Sequence, residues 1–161
     1  MFNKIIVGFD GSEGSREALA RAVDLVKLRP LTILWVAYVN EDVLGEESAY
    51  SSQPLVASPN LTDMSTAPPE ALDNSPLQLA REYAIQMTDL IQTQFDKHQI
   101  QGQIVAIDGH PAKALSDLAK QEQADAILVG NSGKSGFQKF FVGSVSEKLV
   151  KDAPCTVIVV K

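Results

Sequence analysis

An open, doubly wound α/β sheet of five parallel strands is the fold that this sequence predicts. Two observations predict it. Five short apolar runs alternate with four segments whose apolar residues recur at helical spacing. A helix between two such strands makes a crossover unit, which fixes the strands parallel and the connection right-handed. Helices are expected on both faces of the sheet, in one domain covering residues 1–161.

Lys4-Ile5-Ile6-Val7-Gly8-Phe9 reads as the first buried strand and ends at Asp10-Gly11-Ser12. Ser12 and Ser15 both suit the N-cap of a helix with Leu19, Ala22, Val23 and Val26 on its apolar face, and Pro30 breaks it. The second strand, Leu31 to Val39, is β-branched and aromatic and carries Trp35. From Glu41 to Pro76 the rhythm fails. Most of the prolines fall here, and the expectation is a long disordered loop at 41–76, with a partly ordered flap as the alternative.

Leu77 to Gln99 is the longest helical segment, with Ala80, Tyr83, Ala84, Met87, Leu90, Ile91 and Phe95 at core spacing. His98, near its end, is expected to be solvated and to favour the helix dipole. Gln103 to Ile107 is the third strand. Asp108-Gly109-His110-Pro111 turns into a helix with Leu115, Leu118 and Ala119 inward. Neither Asp108 nor His110 has an evident partner in the sequence, so a turn role is expected of both. Ala126-Ile127-Leu128-Val129 is the fourth strand, and Cys155 to Val160, after Asp152-Ala153-Pro154, the fifth.

Composition narrows the functions. A net charge of −6 argues against a nucleic-acid surface, which needs clustered Lys and Arg. No apolar run approaches membrane-spanning length, so no membrane role is expected. Met1-Phe2-Asn3-Lys4 runs straight into Ile5-Ile6-Val7, too short an apolar stretch for a secretory signal, and a cytoplasmic location is expected. The single cysteine, Cys155, cannot form an internal disulfide and sits in an apolar run as a small core residue.

The chemistry is concentrated between Asp125 and Ser146. The fourth strand runs into Gly130, then Gly133 and Gly136, and after a basic-aromatic segment into Gly143-Ser144 and a short helix. Strand, glycine loop and helix N-terminus together make a phosphate cradle, because glycines let backbone amides approach an anion and the first helical amides lack internal partners. The spacing fits neither the Walker A loop nor the dinucleotide fingerprint. A plainer reading is a glycine turn with Ser144 and Glu147 forming a capping box.

Gly130, Gly133, Gly143 and Ser144 match the pattern G-2x-G-9x-G-[ST], and the chain thereby resembles the ATP-binding branch of the universal stress protein family. DGSEGSREAL, GHPAKAL and the ending GSVSEKLVKDAPCTVIVVK carry the same resemblance. Periodicity permits strand orders 2-1-3-4-5 and 3-2-1-4-5; the resemblance implies 3-2-1-4-5. In that order the ends of strands one and four share the crevice at the switch point, where ligands sit.

The resemblance further implies ATP as ligand, with Mg2+ or Mn2+ on its phosphates. Asp10 would stand at the ribose and adenine end, and backbone near Tyr38 or Val39 at the adenine edge. Amides around Gly130, Gly133, Gly143, Ser144 and Val145 would hold the phosphates, with Lys134 as an optional charge. No catalytic residues are implied. The favoured function is a nucleotide-dependent regulatory stress protein, homodimeric through its last strand. The alternatives are a slow ATPase or phosphotransferase, and a dimeric interaction module with a vestigial pocket.

Overall fold

The computed structural model describes residues 2–40, 76–131 and 143–161. Its elements are β1 (Lys4–Phe9), α1 (Glu13–Leu28), β2 (Ile33–Asn40), α2 (Pro76–His98), β3 (Gln103–Asp108), α3 (Pro111–Gln121), β4 (Ala126–Gly130), α4 (Ser144–Asp152) and β5 (Thr156–Val160). The expected loop at 41–76 lies outside the described residues except for Pro76, which opens α2. Gly133 and Lys134 lie outside them too.

The strands form one sheet in the order β3-β2-β1-β4-β5, and every pairing is parallel. Strand alternation divides the core into two layers. Ile5, Val7, Leu34, Val36 and Leu128 pack with α1 and α2, against Leu19, Val23, Met87, Ile91 and Phe95. Ile6, Ala37, Ile127 and Val129 pack with α3 and α4, against Leu115, Ala119 and Leu149. Ile91 is wholly buried in the first layer, and its truncation to Ala would cost about 2–5 kcal/mol by lost transfer energy and the cavity left behind.

Local signals explain where the helices begin and end. Ser12 caps α1 by accepting the Ser15 N–H at 3.2 Å, so Ser12, and not Ser15, is the cap. The Ser15 hydroxyl is buried and donates back to the Ser12 carbonyl at 3.0 Å. Lys27 in the last turn favours the dipole, and Pro30 follows the C-cap Arg29. His98 is half-buried, with Nδ1 at 3.1 Å from the Lys27 ammonium, so it joins the ends of α2 and α1 where the sequence predicted a solvated residue. At α3, Gly109 turns the chain with φ +88°, and Pro111 occupies the first turn, where its missing N–H costs nothing.

The capping box expected at α4 does not form. Gly143 is the N-cap, no side-chain hydrogen bond among the described residues caps the helix, and the Glu147 carboxylate pairs with Lys151 at 2.9 Å. With Ser144 already inside the first turn, its hydroxyl is not placed as a cap and Glu147 is free to serve the i,i+4 pair.

Candidate functional site

β1 and β4 are neighbours although α1, β2, α2, β3 and α3 separate them in the chain. Their carboxyl ends diverge into connections on opposite faces, which opens a crevice between them. A cavity of about 620 Å³ lies there, within the size range of small-molecule sites. Its walls come from the ends of β1, β2 and β4, from Tyr83 of α2, and from the first turns of α1, α3 and α4.

Most of the residues singled out in the sequence converge on this cavity. Asp10, Val39, Gly130, Gly143, Ser144 and Val145 all border it. Tyr38 does not. Its side chain is 6% exposed and turns into the α1/α2 layer, where its ring meets Tyr83 edge-on at 6.4 Å and 69°. Successive strand residues face opposite ways, so the wall position belongs to Val39, which packs with the α3/α4 layer.

Asp10 accepts the Ser12 N–H at 3.0 Å through Oδ1, an Asx turn that leads from β1 into α1. Gly130 is required by packing. A Cβ there would stand 2.4 Å from the Gly14 carbonyl carbon, so the first turn of α1 rests directly on the end of β4. The Gly130 carbonyl accepts a hydrogen bond from the Ser146 hydroxyl at 2.7 Å, and Ser146 is 2% exposed. This bond ties the turn after β4 to the first turn of α4.

Three helix N-termini border the cavity, and they are not equivalent. The α1 terminus is capped by its own Ser12 side chain, and α3 begins with a proline that has no N–H. The α4 terminus has neither device, so its first amides face the cavity as the most available donors for an anion. Among the described residues no cluster of three or more His, Cys, Asp or Glu is arranged to hold a metal ion. Cys155 does not border the cavity. Burial first, and the Asp125 carboxylate second, push its thiol above the ordinary value, which leaves it a weak nucleophile.

Sequence reasoning missed Ser146, Asn40 and Tyr83. Ser146 is a small polar residue two positions past Ser144, and only its burial against Gly130 marks it. Asn40 closes β2 and also borders the cavity, with Nδ2 donating to Asp108 Oδ1 at 3.1 Å. Asp108 therefore has a partner that the sequence did not reveal, because the register pairs Asn40 with Asp108 across β2 and β3. The signal for Asn40 in the sequence was position alone, a polar residue at the carboxyl end of the strand next to β1.

Comparison with known proteins agrees with this architecture. The universal stress protein YxiE of Bacillus subtilis (strain 168) is 29% identical over 163 residues, covering all of both chains. Among solved structures, universal stress protein UspA from Lactobacillus plantarum superposes with a TM-score of 0.71 at 25% identity, over 99% of this chain and 97% of that one. Two others share the fold: a universal stress protein in complex with cAMP (TM-score 0.60, 20% identity, 99% and 97% covered) and one from Archaeoglobus fulgidus in complex with dAMP (TM-score 0.62, 18% identity, 98% and 97% covered). The family model of the Universal stress protein family matches residues 1–161 from end to end, and with that match, the sheet order and the crevice in agreement, the chain belongs to the universal stress protein family.

Proposed function

We propose that the cavity at the β1/β4 switch point holds an adenine nucleotide, ATP, and that the protein works as a nucleotide-dependent regulator in a stress response. The observation that carries this reading is the α4 N-terminus, whose N-cap Gly143 has no side chain to cap it, facing one end of a cavity of about 620 Å³. Amides of Ser144 and Val145 and the Ser144 hydroxyl would bind the phosphates, with Gly130 at the turn and Gly133 and Lys134 contributing from the intervening segment. Asp10, just past the end of the adjacent strand β1, suits the uncharged ribose, since its carboxylate would repel phosphate. Backbone at Val39 would meet the base.

The cAMP and dAMP named for two structural neighbours share with ATP an adenine, a five-membered sugar ring and a phosphate. A cavity this size accommodates that common part. Mg2+ or Mn2+ fits as a companion of the phosphates, since such ions keep several waters and need only one or two protein carboxylates. Bound nucleotide would act by favouring one arrangement of the site's surroundings, by no more than its differential affinity for the two.

Mass spectrometry of nucleotide released from acid-denatured, freshly purified protein tests the ligand, with ATP the expected species. Calorimetry with ATP and Mg2+ should then show binding to the wild type and none to Gly133→Val, whose side chain would block backbone approach. Equal affinity in that variant, or no binding by the wild type, overturns the reading.

A homodimer is proposed as well. Among the described residues β5 pairs only with β4 and forms one edge of the sheet, and its Val157, Ile158 and Val159 are only partly buried. Antiparallel pairing of two such edges across a two-fold axis would satisfy their backbone groups. Light scattering at micromolar concentration should give twice the monomer mass, and Val159→Pro should give the monomer; a monomeric wild type ends the idea.

A further inference from the structure

We propose that Asn40, held in one orientation by Asp108, reads the 6-position of the nucleobase and selects adenine over a 6-oxo purine. The inference rests on the nucleotide reading above and names a specificity device within it. Asn40 and Asp108 are the last register partners of β2 and β3, and Asn40 Nδ2 lies 3.1 Å from Asp108 Oδ1. An ionised carboxylate only accepts hydrogen bonds, so the amide nitrogen must be the atom that faces it. One N–H of Asn40 is thereby used, and its Oδ1 and second N–H remain for a ligand.

Position assigns that ligand edge to the base. Gly130 on β4 and Asn40 on β2 are separated by β1 and hence by two strand spacings, about 10 Å. With phosphates at the α4 terminus and ribose beside Asp10, the base arrives at the ends of β2 and β3. The cavity wall is largely apolar, and at or just past the ends of β2 and β3 the polar side chains that border it are the Asn40 amide and the His110 ring. Asp108 does not border the cavity and acts through Asn40, as a positioning residue.

The chemistry follows from the fixed orientation. Adenine offers an amino donor at its 6-position next to a ring-nitrogen acceptor, the complement of an amide oxygen beside an amide N–H. A 6-oxo purine sets an oxygen against Asn40 Oδ1, and its ring N–H against the amide N–H. Turning the amide over would relieve that clash only by setting Oδ1 against the Asp108 carboxylate. The wrong base therefore loses its hydrogen bonds and leaves the site's polar groups unpaired.

ATP and ITP, which differ in the 6-position and the adjoining ring proton, separate the possibilities when titrated calorimetrically with Mg2+ present. The wild type should bind ATP about tenfold or more tightly than ITP, the worth of one good hydrogen bond. Asn40→Ala and Asp108→Ala should bring the two affinities within about threefold of each other, chiefly by weakening ATP. Asp108→Asn keeps the shape of the side chain but adds a donor, so Asn40 can turn over and most of the preference should be lost, an outcome that a merely structural role for Asp108 would not produce. Equal affinities in the wild type, or a preference that survives in Asn40→Ala, overturn this inference and leave the nucleotide reading standing. Failure of the wild type to bind either nucleotide overturns both.

Discussion

The two ends of the sheet are built on opposite plans. At the amino end the chain pairs its own polar groups. The Asp125 carboxylate accepts the N–H groups of Asn3 at 2.6 Å and Lys4 at 2.9 Å, and the Lys4 ammonium donates to the Glu122 carbonyl and carboxylate at 2.7 and 3.0 Å. Arg29 reaches Asn3 Oδ1 at 2.9 Å, and the Thr32 hydroxyl donates to the Phe2 carbonyl at 3.0 Å. The same ammonium lies 5.4 Å from the centre of the Trp35 ring. At the carboxyl end, turns built on glycine, a proline and an uncapped helix keep a cavity open. The amino end is closed by side chains that join β1 to distant segments; the carboxyl end has its own side-chain bonds, among them Asn40 to Asp108 and Ser146 to the Gly130 carbonyl, yet keeps a cavity. The difference teaches that one end of the sheet is closed by side-chain pairing and the other left open around a cavity, with Gly130 as the place where the open end is also tightly packed.

The strongest way to break this contrast is Gly130→Ala, because it strikes the one place where the open end is also tightly packed. The new Cβ would meet Gly14 backbone, which cannot yield without moving α1. A loss of about 3 kcal/mol is expected, with a fall in Tm of roughly 10 °C. Thermal unfolding that matches the wild type would show the Gly14 contact to be soft. Ser146→Ala comes next. It removes the buried hydroxyl that serves the Gly130 carbonyl, and the urea midpoint should report a loss of roughly 1–2 kcal/mol.

Asp125→Asn probes the closed end and carries a pH signature. The backbone amides of Lys4 and Asn3 hold the Asp125 carboxyl below the usual carboxylate range. A depressed folded-state pKa stabilises the fold at pH values above the unfolded carboxyl's own, about 3.9, and that contribution is lost as pH falls through the folded value. The wild type should therefore exceed Asp125→Asn in urea midpoint at pH 7, and the gap should shrink below about pH 4. A gap independent of pH would mean that the carboxylate's charge plays no part. The smallest expected effect is on chemistry at the open end. Groups that hold ground-state phosphates do not by themselves orient a nucleophile, so turnover of bound ATP should stay well below about 1 s⁻¹. Faster turnover that disappears in Gly133→Val would make the protein an enzyme.

Local pattern decided much of this molecule. Apolar runs such as Ile5-Ile6-Val7 and Ile127-Leu128-Val129 mark strands buried on both faces, and Ser12, Pro30, Pro111 and Pro154 mark helix limits, because caps and breakers act within a few residues. The glycine spacing at Gly130, Gly143 and Ser144 was also legible, and it carried the family and, through the family, the strand order. Tertiary structure alone decided the rest. Asp125 finds its amides 121 and 122 residues away, Asn40 finds Asp108 across 68, and Gly130 meets the first turn of α1. It also turned Tyr38 into the core and left Val39 on the cavity wall. Such pairings depend on lateral strand order and register, which no periodicity encodes, because the groups meet only after the sheet has assembled.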